Sequence, residues 1–184
     1  MENIYCKNLK VDFEIDTSQI DELKKTIGSP ASFKVFKAVS IDDAVYDYLK
    51  KYKIKATFSE IFYTPPHSKM PIHTDGELSR TKLNWIFGAD GSVMQWWKPL
   101  TTGTPKTNDI GYDYLSFNEE ECRCIWTAQV GKPSLLNVGV PHSINNMTDE
   151  GRWCMSFVLY DTVKDQHLEW EDAVMKLSKT TVIR

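Results

Sequence analysis

Apolar and polar residues alternate with a period of two through the middle of the chain, and with a period near 3.6 at its two ends. At 152–160, RWCMSFVLY, residues Trp153, Met155, Phe157 and Leu159 share one face of an extended strand. Arg152, Cys154, Ser156 and Val158 share the other. The bulky face suits packing against an outer layer, and the smaller, partly polar face suits a barrel interior. At 80–87 the same parity sets Arg80, Lys82, Asn84 and Ile86 against Thr81, Leu83, Trp85 and Phe87. Further strands are predicted over 56–63, 70–75, 92–97, 122–130, 134–138 and 142–146, separated by Gly- and Pro-rich turn signals such as Pro65-Pro66 and Gly131-Lys132-Pro133. Helical spacing predicts helices over 17–27, 41–53 and 165–178, the first with Thr17 or Ser18 as its cap and Gly28 after its end. Eight short strands between helices predict a mostly β chain with a jelly-roll core and flanking helices. Residues 98–121 form the longest irregular stretch, which fits either a binding loop or an exposed insertion without a role.

A chain of 184 residues is long enough for one sizeable core, and a single domain over 1–184 is expected. A net charge of −3 argues against a nucleic-acid partner, and no apolar window reaches the roughly 18 residues of a membrane span. The start, MENIYCKNLKVDFEID, lacks the apolar stretch of a secretory leader, so a cytoplasmic location with reduced cysteines is expected. Cys122 and Cys124 form C-x-C, but no second thiol pair accompanies them, and they read as small strand residues.

The candidate chemistry begins at PIHTDGELSR. His73 and Asp75 stand two apart, so on an extended chain both side chains point to one side and can converge. An imidazole and a carboxylate fill two corners of an octahedral metal, and two His with one carboxylate suit non-haem Fe(II). Of the remaining histidines, His142 opens a predicted strand, whereas His67 sits in a turn and His167 on a predicted helix; His142 is therefore the expected third ligand. Arg152 follows ten residues later on the polar face of its strand, where a buried guanidinium needs a carboxylate partner. Its other reading is a structural salt bridge.

The ordered set His73-x-Asp75, His142 and Arg152, with PPHSKMPIHTDGELSRTKLNWIF and VPHSINNMTDEGRWCMSFVLYD around it, resembles the 2-oxoglutarate- and Fe(II)-dependent dioxygenases, of the prolyl or aspartyl/asparaginyl hydroxylase type. The resemblance covers about residues 56–161 and implies a double-stranded β-helix core. It implies that His73, Asp75 and His142 hold Fe(II), and that 2-oxoglutarate chelates the metal while its distal carboxylate pairs with Arg152, helped by Ser156 or Tyr63. O2 would be the second co-substrate, and succinate and CO2 the co-products. Lys82 and Arg80, on the predicted strand 80–87, are rivals to Arg152, and Asn84 is a candidate supporting group or a sheet hydrogen-bonder. Trp96 and Trp97 read as pocket lining or as core. The aspartyl/asparaginyl type can lack the carboxylate ligand, which this chain keeps as Asp75; its presence also argues against halogenation.

Two other classes share these residues: a cupin-like jelly roll that binds a metal or ligand without redox chemistry, and a zinc hydrolase or isomerase. The expected substrate is a protein or peptide side chain, or a free amino acid or other small molecule, with no nucleic acid and no membrane as partner.

Overall fold

A computed structural model describes residues 4–76, 79–131 and 133–177. The alternating stretches form two antiparallel sheets of seven strands each. The strands are β1 (Cys6–Asn8), β2 (Lys34–Lys37), β3 (Ile54–Thr64), β4 (Ser68–Lys69), β5 (Ile72–Thr74), β6 (Thr81–Phe87), β7 (Val93–Pro99), β8 (Thr104–Thr107), β9 (Asp113–Phe117), β10 (Cys122–Ala128), β11 (Ser134–Asn137), β12 (His142–Asn146), β13 (Arg152–Asp161) and β14 (Gln166–His167). The first sheet runs β1-β11-β6-β13-β3-β2 with β14 beside β13, and the second runs β10-β7-β12-β5-β9-β8 with β4 beside β12. From β3 onward the principal strands alternate between sheets, except where β7 is followed by β10 in the same one. The first sheet thus holds β3, β13, β6 and β11, and the second β5, β12, β7 and β10. This is the strand order of a jelly-roll, double-stranded β-helix core.

Strand parity separates two environments. On the outer face of the first sheet, Ile61, Leu83, Leu135, Met155, Phe157 and Leu159 are almost completely buried. They pack against helices α1 (Ser18–Ile27), α2 (Asp43–Lys50) and α3 (Trp170–Leu177) through Ile20, Val45, Leu49, Ala173 and Leu177. Each such side chain contributes about 1.5–3 kcal/mol of transfer free energy. A smaller cluster of Cys6, Met94, Trp96, Leu136, Val138 and Ile144 joins the two sheets. Trp96 and Trp97 are core: their indole N–H groups donate to the Asn137 carbonyl and the Ser143 hydroxyl, at 2.9 Å each.

Several expectations need correction. Residues 98–121 are not irregular: β8 and β9 form a hairpin that extends the second sheet through β5, from His73↔Ser116 outward. Gly76, directly after Asp75, lets this hairpin approach, because it has φ +82° and a Cβ there would lie 2.6 Å from the Asp113 carbonyl. The last helix begins at Trp170 rather than 165, since Gln166–His167 pair with Tyr160 and Asp161 instead; Met175 is exposed. Residue 178 lies outside the described residues. Thr17 takes the N-cap position of α1 as expected, but its side chain makes no capping hydrogen bond; the Asp16 carboxylate accepts the Ser18 N–H at 2.8 Å instead. β1 and β2, unforeseen, add one strand to each edge of the first sheet.

Candidate metal centre and adjoining cavity

His73 and His142 lie directly opposite each other on β5 and β12, with ring centroids 4.5 Å apart. Asp75 follows β5 immediately, its backbone N–H held by the Val138 carbonyl at 3.2 Å. The Asp75 Oδ1 atom lies 3.1 Å from His73 Nε2 and 3.6 Å from His142 Nε2. One ligand atom from each of the three residues falls within 4.8 Å of the others, the one such cluster of three potential ligands among the described residues.

The hydrogen bonds around the imidazoles test whether a cation suits this point. His73 Nδ1 lies 2.9 Å from the Pro71 carbonyl, and His142 Nδ1 lies 3.0 Å from the Val140 carbonyl. A carbonyl only accepts, so each Nδ1 carries the hydrogen, and in the neutral ring Nε2 presents a lone pair. Two lone pairs and a carboxylate oxygen therefore face one point, an arrangement that needs a cation. Burial pushes the His142 imidazole down to about 4, so the cation that fits near neutral pH is a metal rather than a proton on this ring. Burial alone would raise the Asp75 carboxyl, but the Lys82 ammonium and the two imidazoles hold it well below the ordinary carboxylate range. The donor set fits a divalent transition metal.

Lys82 is not a free anion receptor. Its Nζ lies 2.8 Å from Asp75 Oδ2 and 2.5 Å from Glu60 Oε2, all three side chains being largely buried. Burial disfavours its charge, yet these two carboxylates hold Lys82 above the ordinary lysine value. By occupying Oδ2, Lys82 turns Oδ1 toward the imidazoles. Glu60 was not foreseen, although a carboxylate at an even position between Phe58 and Phe62, on a face opposite Ile61 and Tyr63, is a readable sign of an internal ion pair.

Arg152 lines a narrow cavity of about 40 Å³ together with His73, Asp75, His142, Asn84 and Ser156. That volume has room for a few waters. Arg152 is 4% exposed, and among the described residues no carboxylate comes within 4.0 Å of its guanidinium. Burial lowers its proton affinity, offset in part by a hydrogen bond to the Cys154 side chain, but an arginine remains cationic. Ser156 donates to Asn84 Oδ1 at 2.7 Å, which fixes both side chains on the cavity wall. Tyr63 is elsewhere. It has odd parity on β3, so its ring lies tilted against Trp153 on the outer face, centroids 4.7 Å apart, where Gly151 makes room for it. Arg80 also stays outside the cavity, half-exposed and 3.5 Å from Glu169. His67 pairs with Asp149 at the surface, and His167 packs edge-on against Tyr160.

No family model matches the sequence, and no curated protein matches it by sequence. Solved structures with a similar strand arrangement include the epimerase SnoN in complex with Fe3+, alpha ketoglutarate and nogalamycin RO (13% identity over 85% of this chain and 78% of that one, TM-score 0.46). They also include an oxidoreductase of the 2OG-Fe(II) oxygenase family from Burkholderia pseudomallei (11% identity, 78% and 77% covered, TM-score 0.44). A recombinant oxalate oxidase in complex with glycolate is similar at 14% identity and TM-score 0.35, with 70% of this chain covered. This chain spans 52% of the length of that oxalate oxidase. Among the described residues no helix is long and apolar enough to cross a membrane.

Proposed function

We propose that the chain is a 2-oxoglutarate- and Fe(II)-dependent dioxygenase that hydroxylates a peptide side chain or a free amino acid. The observation that carries this reading is Arg152, a buried cation without an acidic partner among the described residues, on the wall of the cavity that also holds the three converging ligand atoms. A jelly roll that only bound a metal would have no use for that uncompensated charge, which costs several kcal/mol unless an anion enters. The co-substrate is a dicarboxylate, and its distal carboxylate answers this need.

His73 and His142 through Nε2, and Asp75 through Oδ1, would hold the iron. Bound there with 2-oxoglutarate, iron supplies the oxidation that places oxygen from O2 on a substrate carbon while succinate and CO2 are released. The chain's own work is orientation and exclusion of water. Arg152 offers a planar fork of N–H donors that matches a carboxylate in a two-point contact. Ser156 and Asn84 hold the wall between that anchor and the metal ligands. Lys82 keeps Asp75 in a single orientation and balances its charge with Glu60.

Anaerobic titration of 2-oxoglutarate into Fe(II)-loaded protein tests this reading through the weak visible charge-transfer band of the chelate. The band is expected in the native protein, to be lost at modest co-substrate in Arg152→Ala, and to vanish in Asp75→Ala together with the bound iron. A folded, metal-loaded protein that gives no band would instead be a non-redox jelly-roll binding module, and Arg152 a structural residue.

A further inference from the structure

A second pocket, of about 120 Å³, opens beside the metal centre and shares His73, Asp75 and Lys82 with it. Five aromatic rings stand in the rest of its wall, Phe33, Phe58, Phe62, Tyr112 and Tyr114, beside smaller apolar and polar groups. All five rings are half-buried, and none belongs to the apolar clusters that build the core. Phe58 and Tyr112 stack nearly parallel with centroids 5.0 Å apart, Phe33 stacks on Phe62 at 6.0 Å, and Tyr114 sets its edge against His73 at 6.1 Å. Tyr112 and Tyr114 come from the β8–β9 hairpin, so the pocket exists only because that hairpin folds back over β5. Aromatic side chains that are neither core nor scattered surface, gathered around one concavity, mark a binding site for apolar matter. The volume is slightly below that of a dry cavity of roughly 150 Å³ that accepts benzene.

Charge narrows the ligand further. Lys82 is the pocket's one cation among the described residues, and Glu60 and Asp75 already occupy it. Asp113 stands at the mouth and also lines a wider outer cleft of about 560 Å³ with Glu169 and Glu171. The cation of that cleft, Arg80, is tied to Glu169 at 3.5 Å. A carboxylate entering here meets acids and no free base, whereas an ammonium meets acids and π faces.

We infer that this pocket receives a ring-sized apolar group carried on a neutral or cationic remainder, and that it rejects groups ending in a carboxylate. Under the oxygenase reading, on which the consequence for catalysis rests, the group in this pocket is the one presented for oxidation. A peptidyl aromatic or bulky aliphatic side chain fits, since its neighbouring backbone is neutral. A free amino acid does not, since its carboxylate finds no partner.

Binding of three probes of matched ring and length to the full, metal-free chain tests this: phenethylamine, 2-phenylethanol and 3-phenylpropionate, followed by calorimetry or ligand-observed NMR. The amine and the alcohol are expected to bind, each roughly five-fold more weakly in Tyr112→Ala and in Phe58→Ala, as loss of one stacking wall implies. Phenylpropionate is expected to bind at least about ten-fold more weakly, or in a manner that neither substitution alters, as for a carboxylate held by Arg152. The inference is overturned if phenylpropionate matches the amine with the same sensitivity to Tyr112→Ala, or if no probe binds in a way that either substitution weakens. The 2-oxoglutarate band is read on the same preparation after anaerobic loading with Fe(II). A band without probe binding removes the substrate inference alone, and probe binding without a band removes the oxygenase reading alone.

Discussion

The two faces of the first sheet are built from the same three strands and do opposite work. Outward, β3, β6 and β13 present Ile61, Leu83, Trp85, Trp153, Met155, Phe157 and Leu159, all buried in the apolar cluster that includes the helices. Inward, one residue away in each case, they present Glu60, Lys82, Asn84, Arg152 and Ser156. The outer face supplies the apolar burial that stabilises the fold. The inner face holds a carboxylate, a lysine and an arginine, with Asp75 of the second sheet against the lysine, in a space of low polarity, which opposes folding unless the charges find partners. Strand parity is what allows one element to do both, and it makes the effects of neighbouring substitutions opposite in kind.

Phe157→Ala strikes the outer face and gives the largest expected change. Phe157 is fully buried and meets Trp85 edge-on at 5.7 Å. Removing the ring is expected to cost about 4 kcal/mol in urea-induced unfolding, with co-substrate affinity in the folded fraction unchanged. A loss of 2-oxoglutarate binding without a loss of stability would show that the two faces are not separate.

Lys82→Met strikes the inner face by removing a cation from between two acids. Glu60 and Asp75 then lie buried without their counter-charge, which is expected to cost about 3 kcal/mol in metal-free protein. Added Fe(II) should recover part of that loss, because a metal at Oδ1 would neutralise Asp75 while leaving Glu60 uncompensated. Unfolding measured anaerobically with and without Fe(II) checks this; equal loss in both would mean that Asp75 does not carry the metal.

How much of this was readable in the sequence follows the same division. The parity of 152–160 is visible because its two faces differ in size and polarity, so Arg152 and Ser156 were placed inward, and so they lie. The parity of 56–63 is harder to see, because Phe58 and Phe62 on one face are as apolar as Ile61 and Tyr63 on the other. The resemblance offers Ser156 or Tyr63 beside the co-substrate, and Tyr63 packs outside. The β8–β9 hairpin escaped notice because β8, TPKT, is exposed at every position and no alternation marks it. The aromatic pocket went with it, since Tyr112 and Tyr114 reach the site through a sheet edge that only tertiary pairing creates. His73, Asp75 and His142 were legible as a set because a ligand pair at spacing two and a third histidine at a strand start are local features. That β12 sets His142 opposite His73 is a matter of register, which no local pattern specifies.

Arg152→Met sharpens the comparison most, although its effect on stability is the smallest. Methionine keeps an unbranched apolar stem of related shape and removes a charge that has no acidic partner among the described residues. A core substitution lowers stability; this one is expected to raise it by about 1 kcal/mol in the absence of co-substrate, because an uncompensated buried cation is replaced by a group that costs nothing to desolvate. In the same variant 2-oxoglutarate is expected to bind roughly 100-fold more weakly, since the dicarboxylate loses the buried cation that has no carboxylate partner among the described residues. Stability and affinity would then move in opposite directions at a single position, which no packing residue on the outer face can do. If Arg152→Met instead lowers stability as Phe157→Ala does, the guanidinium is a structural member of the barrel, and the anion that gives the cavity its purpose must be sought elsewhere.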